Sequence, residues 1–134
     1  MRVEKHISTE AHFVLERVSG DVTETELTRK MSELLADPNY ESTMRGICDF
    51  RKARPKLSRA EMDRFSRGVA EHSDFGKSRW AIVTDHPILN AYGHLLQRRI
   101  GADAQIRVFT TIEAAEEYVG CEVEQALSLS LANR

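Results

Sequence analysis

The chain has 134 residues, 41% hydrophobic and 30% charged, and a formal net charge of -2. That length fits one domain with a real core, and the composition excludes a disordered chain. Near-balanced charge gives no global attraction to nucleic acid or anionic lipid, so no nucleic-acid partner is expected. No apolar run approaches the roughly 20 residues that span a bilayer, so no integral membrane segment is expected. The N-terminus alternates charged and apolar residues where a signal peptide would be apolar. Cys48 and Cys121 belong to no disulfide framework or Cys-x-x-Cys unit. They read as free thiols, and the chain as cytoplasmic.

Arg2 to Ile7 alternates, with Val3, Lys5 and Ile7 on one face and Arg2, Glu4 and His6 on the other, as an edge strand with one solvated face does. A polar turn, Ser8-Thr9-Glu10, leads to a second strand from His12 to Val18, and the short connection makes the two an antiparallel hairpin. Ser19-Gly20-Asp21 is expected to break that strand. Thr23-x-x-Glu26 is a capping box, and Leu27, Met31, Leu34 and Leu35 recur at helical spacing until Asp37-Pro38-Asn39 stops the helix.

Gly46 to Phe50 carries apolar residues on both faces, the mark of a central strand covered on both sides. A basic loop is expected from Arg51 to Leu57, followed by a second capping box, Ser58-x-x-Glu61, and a helix with Met62, Phe65 and Val69 on its buried stripe. After a polar break at Ser73 to Lys77, Trp80 to Thr84 is the most continuous apolar strand. Asp85-His86-Pro87 opens a third helix, with Leu89, Tyr92, Leu95 and Leu96 on its face and Gly101 at its end. Ile106 to Phe109 forms the other edge. Thr110 with Glu113 caps a fourth helix, with Ile112, Ala115 and Val119 inward. The tail from Cys121 to Arg134 carries Val123, Leu127, Leu129 and Leu131, and either extends a helix over the sheet or seats a partner chain.

The result is an α/β fold: a five-stranded mixed sheet, an N-terminal antiparallel hairpin followed by parallel β-α units, with helices packed on it. Residues 1–120 form the domain and 121–134 the tail. Right-handed crossovers gather the helix starts at one rim, and ligands of open α/β sheets usually bind beyond the carboxyl ends of the strands. The candidate partner- or ligand-binding residues there are Asp49, Arg51, Ser58, Thr84, Asp85, His86 and Thr110.

Four phrases carry a family likeness: Asp37-Pro-Asn-Tyr, Arg45-Gly-Ile-Cys-Asp-Phe-Arg, Arg79-Trp-Ala-Ile-Val and Arg107-Val-Phe-Thr-Thr-Ile-Glu-Ala-Ala. With the element order, residues 2 to 119 resemble the SpoIIAA-like branch of the STAS superfamily, whose broader class shares a fold with the CRAL-TRIO lipid-binding domains. The resemblance implies a regulatory or protein-interaction module. In its anti-anti-sigma members a serine after the central strand is phosphorylated. Ser58 holds the comparable place, but the Asp-Ser-Ser-Gly-type motif is absent and the capping box already accounts for this serine.

No catalytic constellation accompanies the scaffold. His86 and His94 are eight residues apart, too far along a helix to chelate one metal directly, so no metal is expected. Cys48 lies inside an apolar strand, where burial blunts a thiol. Gly-x-Ser-x-Gly, Gly-x-Gly-x-x-Gly and P-loop patterns are missing, and no cofactor is expected. The leading expectation is a non-catalytic interaction module with a protein partner. The second is a carrier or sensor of a small apolar or amphipathic ligand. A third is a small enzyme using Asp49, Asp85 or His86. Edge strands and the Leu-bearing tail point to self-association as a homodimer.

Overall fold

A computed structural model describes residues 1–72, 77–101 and 103–132. The break expected at 73–77 falls largely outside them, as does the side chain of Leu131. The elements run β1 (Arg2–Ser8), β2 (Phe13–Val22), α1 (Glu24–Ala36), β3 (Arg45–Pro55), α2 (Arg59–Ala70), β4 (Trp80–Val83), α3 (Pro87–Ile100), β5 (Ile106–Phe109), α4 (Ile112–Val119) and α5 (Val123–Ala132).

The strands form one five-stranded sheet in the order β1-β2-β3-β4-β5, with β1 antiparallel to β2 and the rest parallel. Each new parallel strand is added on the same side of the last. Right-handed crossovers therefore place α1, α2 and α3 all on one face. The other face would be bare without α4 and α5. The core divides accordingly. Phe13, Leu15, Ile47, Ala81 and Val83 meet Ala115 and Val119 of α4 and Val123 and Ala126 of α5. The opposite face of the sheet, with Val14, Val18, Cys48 and Trp80, packs beneath α1, α2 and α3.

Two segments expected to be loops are strand. β2 continues through Ser19, Gly20 and Asp21 to Val22, with a register shift between Arg17 and Ser19. Gly20 accommodates the change at φ 83, a conformation that costs a residue without Cβ little. The segment from Arg51 to Pro55, read as the start of a basic loop, is the far half of β3, paired with Ser19 to Val22. Since β4 pairs β3 only from Gly46 to Asp49, β2 and β3 project beyond it as a two-stranded ribbon.

Helix starts follow the local code. Ser58 and Glu61 form a reciprocal capping box, and the Thr23 hydroxyl accepts from the Glu26 amide at 3.2 Å. His86 caps α3 by accepting from the Ile88 amide at 3.2 Å, with Pro87 at the first helical position. The cap of α4 is Thr111, not Thr110: its hydroxyl accepts from the Ala114 amide at 3.2 Å. Thr110 lies one residue earlier, exposed. The helix ends at Gly120, whose φ of 71 is left-handed. Arg45 donates to the carbonyls of Val119, Gly120 and Ala11, and Arg79 to that of Tyr118. Two arginines thus hold the carboxyl end of α4 against the starts of the central strands, where a helix terminus favours cations.

Gly46 pairs with Trp80 across β3 and β4. A Cβ on Gly46 would enter the Trp80 ring, with two ring carbons at 2.5 and 2.7 Å, so the flat packing of the indole depends on this glycine. Gly46→Ala is expected to destabilise the fold by about 1–3 kcal/mol through overpacking. Urea unfolding followed by Trp80 fluorescence would measure it, and the native emission should shift as the ring is displaced.

Candidate functional site

The register puts Glu16 of β2 directly beside Cys48 of β3. Both face the side of the sheet covered by α1, α2 and α3, and Lys30 of α1 reaches down onto them. Its ammonium donates to Glu16 Oε1 at 2.8 Å and lies 3.7 Å from Cys48 Sγ, while the thiol is 3.5 Å from the same carboxylate oxygen. Glu16 is 1% exposed and Lys30 8%. Charged side chains this deep are retained only when paired.

Burial by itself would lower the Lys30 pKa. The negative charge available at Cys48 and at Glu16 outweighs it, and the Lys30 pKa stands above its ordinary value. Burial pushes the Cys48 thiol up to about 12, with Lys30 opposing and Glu16 reinforcing the rise. The sulfur is a neutral thiol at physiological pH, in keeping with a core cysteine.

The three side chains lie together in the lining of a largely apolar cavity of about 80 Å³. Leu27 and Met31 come from α1, Met62 and Phe65 from α2, and Leu89, Tyr92 and Leu96 from α3; Phe50, Trp80, Ile82 and Ile106 line the sheet side. Gly93 helps to bring α3 close, since a Cβ there would stand 2.7 Å from Val108.

Sequence reasoning had Cys48 but missed its two partners. The signals were there. Glu16 lies between Val14 and Val18 on the inward face of β2, and Lys30 lies at the helical spacing of Leu27 and Leu34. Lys30 takes the buried place in the stripe, while Leu35, expected to face inward, is 39% exposed.

The rim residues have mostly local partners. Asp49 accepts from the Arg51 backbone amide at 3.0 Å and from its guanidinium at 3.0 and 2.8 Å. Burial opposes ionisation of Asp49, but the Arg51 hydrogen bonds prevail and hold its carboxyl below the ordinary value. The same pairing raises the Arg51 pKa, with Glu113 and Asp85 adding to the field. Asp49, Arg51 and Asp85 are therefore brought into one electrostatic neighbourhood. Thr84 is fully buried, and its hydroxyl accepts from the His86 amide at 3.1 Å. Ser58 and His86 serve as helix caps. Among the described residues, no group of three or more His, Cys, Asp or Glu could hold a metal ion. Nor is any helix among them long and apolar enough to cross a membrane.

The geometry defines a mixed α/β domain with helices on both faces and a largely apolar cavity under three of them. No family model matches the chain, and no curated protein matches it. Among solved structures, the chain is similar to an uncharacterized DUF3478-family protein with a SpoIIAA-like fold from Shewanella loihica PV-4. The TM-score is 0.55 at 14% identity, covering 88% of this chain and 92% of the other. The fold is SpoIIAA-like, as the sequence phrases implied.

Removing one partner of a buried pair leaves an uncompensated charge. Lys30→Met is expected to cost about 3–5 kcal/mol, with most of the loss recovered by adding Glu16→Leu. Chemical denaturation of the two variants checks both values.

The raised thiol sets a sign for alkaline stability. The folded state holds the Cys48 proton more tightly than the unfolded chain, whose thiol loses it near the ordinary value of 9.0. Its contribution is therefore complete below pH 9 and is lost as the pH rises toward 12. Lys30 acts in the same direction above its ordinary 10.5. Cys48→Ala is expected to flatten the fall in stability from pH 9 upward, measured by urea midpoints across that range. In native protein a thiol reagent at pH 8 should label the half-buried Cys121 and reach Cys48 only on unfolding.

Proposed function

We propose that the chain is a non-catalytic sensor or carrier of a small, largely apolar ligand held between the sheet and helices α1, α2 and α3. One observation carries this reading: the cavity of about 80 Å³, lined by apolar side chains from three helices and four strands together with Glu16, Lys30 and Cys48. Protein cores are ordinarily packed without such voids. At about 24 cal/mol per Å³, an empty space of this size costs roughly 2 kcal/mol, which an occupant would relieve. The volume is about half of the ~150 Å³ engineered cavity that takes benzene or xenon, so the ligand is compact. The rim offers no comparable case for catalysis, since the Asp49 carboxylate is engaged by Arg51 and His86 Nδ1 by the cap of α3.

A second reading, a contact surface for a protein partner, is supported at the rim. There Arg51, Asp85 and Thr110 are exposed and Ile88, in the first turn of α3, is 48% exposed. Polar groups around an exposed apolar side chain suit a modest interface. Asp49, Arg51, Ser58, Thr84, Asp85, His86 and Thr110 belong to this reading as contact or supporting residues.

Thermal unfolding with a panel of compact molecules, xenon, propane and acetone among them, tests the cavity. Binding to the folded state should raise Tm with the logarithm of ligand concentration once that exceeds Kd, and Ile82→Phe, which fills the space from the sheet side, should abolish the rise. No shift with any member of the panel, and no xenon-induced chemical-shift change at Leu96 or Ile82, would refute the reading.

A further inference from the structure

Glu16, Lys30 and Cys48 do more than line the cavity; their hydrogen-bonding capacity and charge restrict what can enter. An ammonium has three hydrogens to donate. Among the described residues, one of Lys30's goes to Glu16 Oε1 at 2.8 Å and one points weakly at Cys48 Sγ, 3.7 Å away. No acceptor for the third is found among the described residues, and Lys30 lines the cavity. The charge balance is closed as well. Lys30 is the sole cationic and Glu16 the sole acidic side chain on that wall, and they neutralise one another. A carboxylate or phosphate arriving there would bring a negative charge with no second cation to meet it, and a buried unpaired charge is strongly unfavourable. An ammonium ligand would meet the mirror-image problem, because Glu16 already serves Lys30. A hydrocarbon would fit the apolar walls and leave the third hydrogen unanswered, a loss because a buried donor without a partner is costly.

We propose that the ligand is a compact, uncharged molecule with an apolar body and a single hydrogen-bond acceptor, such as a ketone, aldehyde, ester or ether oxygen, which receives the third hydrogen of the Lys30 ammonium. This specificity rests on the cavity being a ligand site. It assigns Lys30 as the recognition residue and Glu16 as the residue that positions it. The body lies against Phe65, Tyr92, Leu96 and Ile82, and its size is limited to a few heavy atoms, fewer than in benzene, by the volume comparison above.

A matched series on the full chain at pH 7 tests it: propane, acetone and acetate, with binding read by NMR titration. Acetone should bind at least tenfold tighter than propane, and acetate weaker than both. The carbonyl carbon of bound acetone should shift downfield relative to its position in cyclohexane, as a hydrogen-bonded carbonyl does. The Glu16→Leu, Lys30→Met pair of substitutions should remove the preference and the downfield shift while propane still binds. Because that variant could fail to fold, the wild-type series and the carbon shift decide by themselves. Equal binding of propane and acetone, or tighter binding of acetate, would overturn the acceptor assignment and leave the cavity reading standing. Failure of all three to bind, with water alone in the cavity, would overturn both.

Discussion

The contact on which the rest of the structure depends is the ion pair between Glu16 and Lys30, 2.8 Å long and almost wholly shielded from solvent. It ties the first crossover helix to the second strand at a point where the neighbouring packing is apolar and adaptable. It also fixes something that the apolar pattern leaves loose. Phe13, Val14, Leu15 and Val18 are buried on alternating sides of β2, so both faces of the strand are hydrophobic, and such strands specify their register weakly from hydrophobicity alone. A slip of one residue would carry Glu16 to the α4 side and bring Arg17 in beneath α1. Glu16, the buried acid of β2, opposite the buried Lys30 of α1, distinguishes the two registers.

The monotonic strand order has a consequence for where the cavity can lie. Three helices added by three crossovers of one hand must share a face, and helices on a twisted sheet leave space where their axes diverge. On the other face, α4 and α5 follow the last strand and need no crossover. They cover Phe13, Leu15, Ile47, Ala81 and Val83 with Ala115, Val119, Val123 and Ala126, mostly small side chains that pack closely. The cavity therefore belongs to the crossover side, and the residues lining it come from many separate parts of the chain.

Much of the fold was legible in the residues. The alternation of Arg2 to Ile7, the double-faced apolar strands around Ile47 and Ala81, and the caps at Thr23, Ser58 and His86 are local signals, and each corresponds to an observed element. Errors arose where tertiary pairing overrode local chemistry. Ser19-Gly20-Asp21 and Arg51 to Pro55 carry turn-like or basic residues, yet each segment supplies the other's backbone hydrogen bonds. Thr110 and Thr111 are adjacent and equally able to cap, so only the path of the chain decides between them. The candidate site was half legible. Cys48 was assigned correctly to the core, but Glu16 and Lys30 were not singled out. Their partnership with Cys48 spans three elements and depends on a register that no local pattern records. The rim residues were placed by topology, and the structure brings Asp49, Arg51 and Asp85 together there while leaving Ser58 and His86 as caps.

The arginines that hold the end of α4 also bear on how the chain acquires its shape during synthesis. Arg45 and Arg79 precede the carbonyls they grip by 74 and 39 residues. On a growing chain the crossover side, built from residues up to Ile106, can assemble first. One broad apolar side of β2, β3 and β4 then stays open to water, with two guanidinium groups waiting at its margin. Only when α4 and α5 emerge is that side sealed, and the guanidiniums act as a late latch between the middle of the chain and its far end.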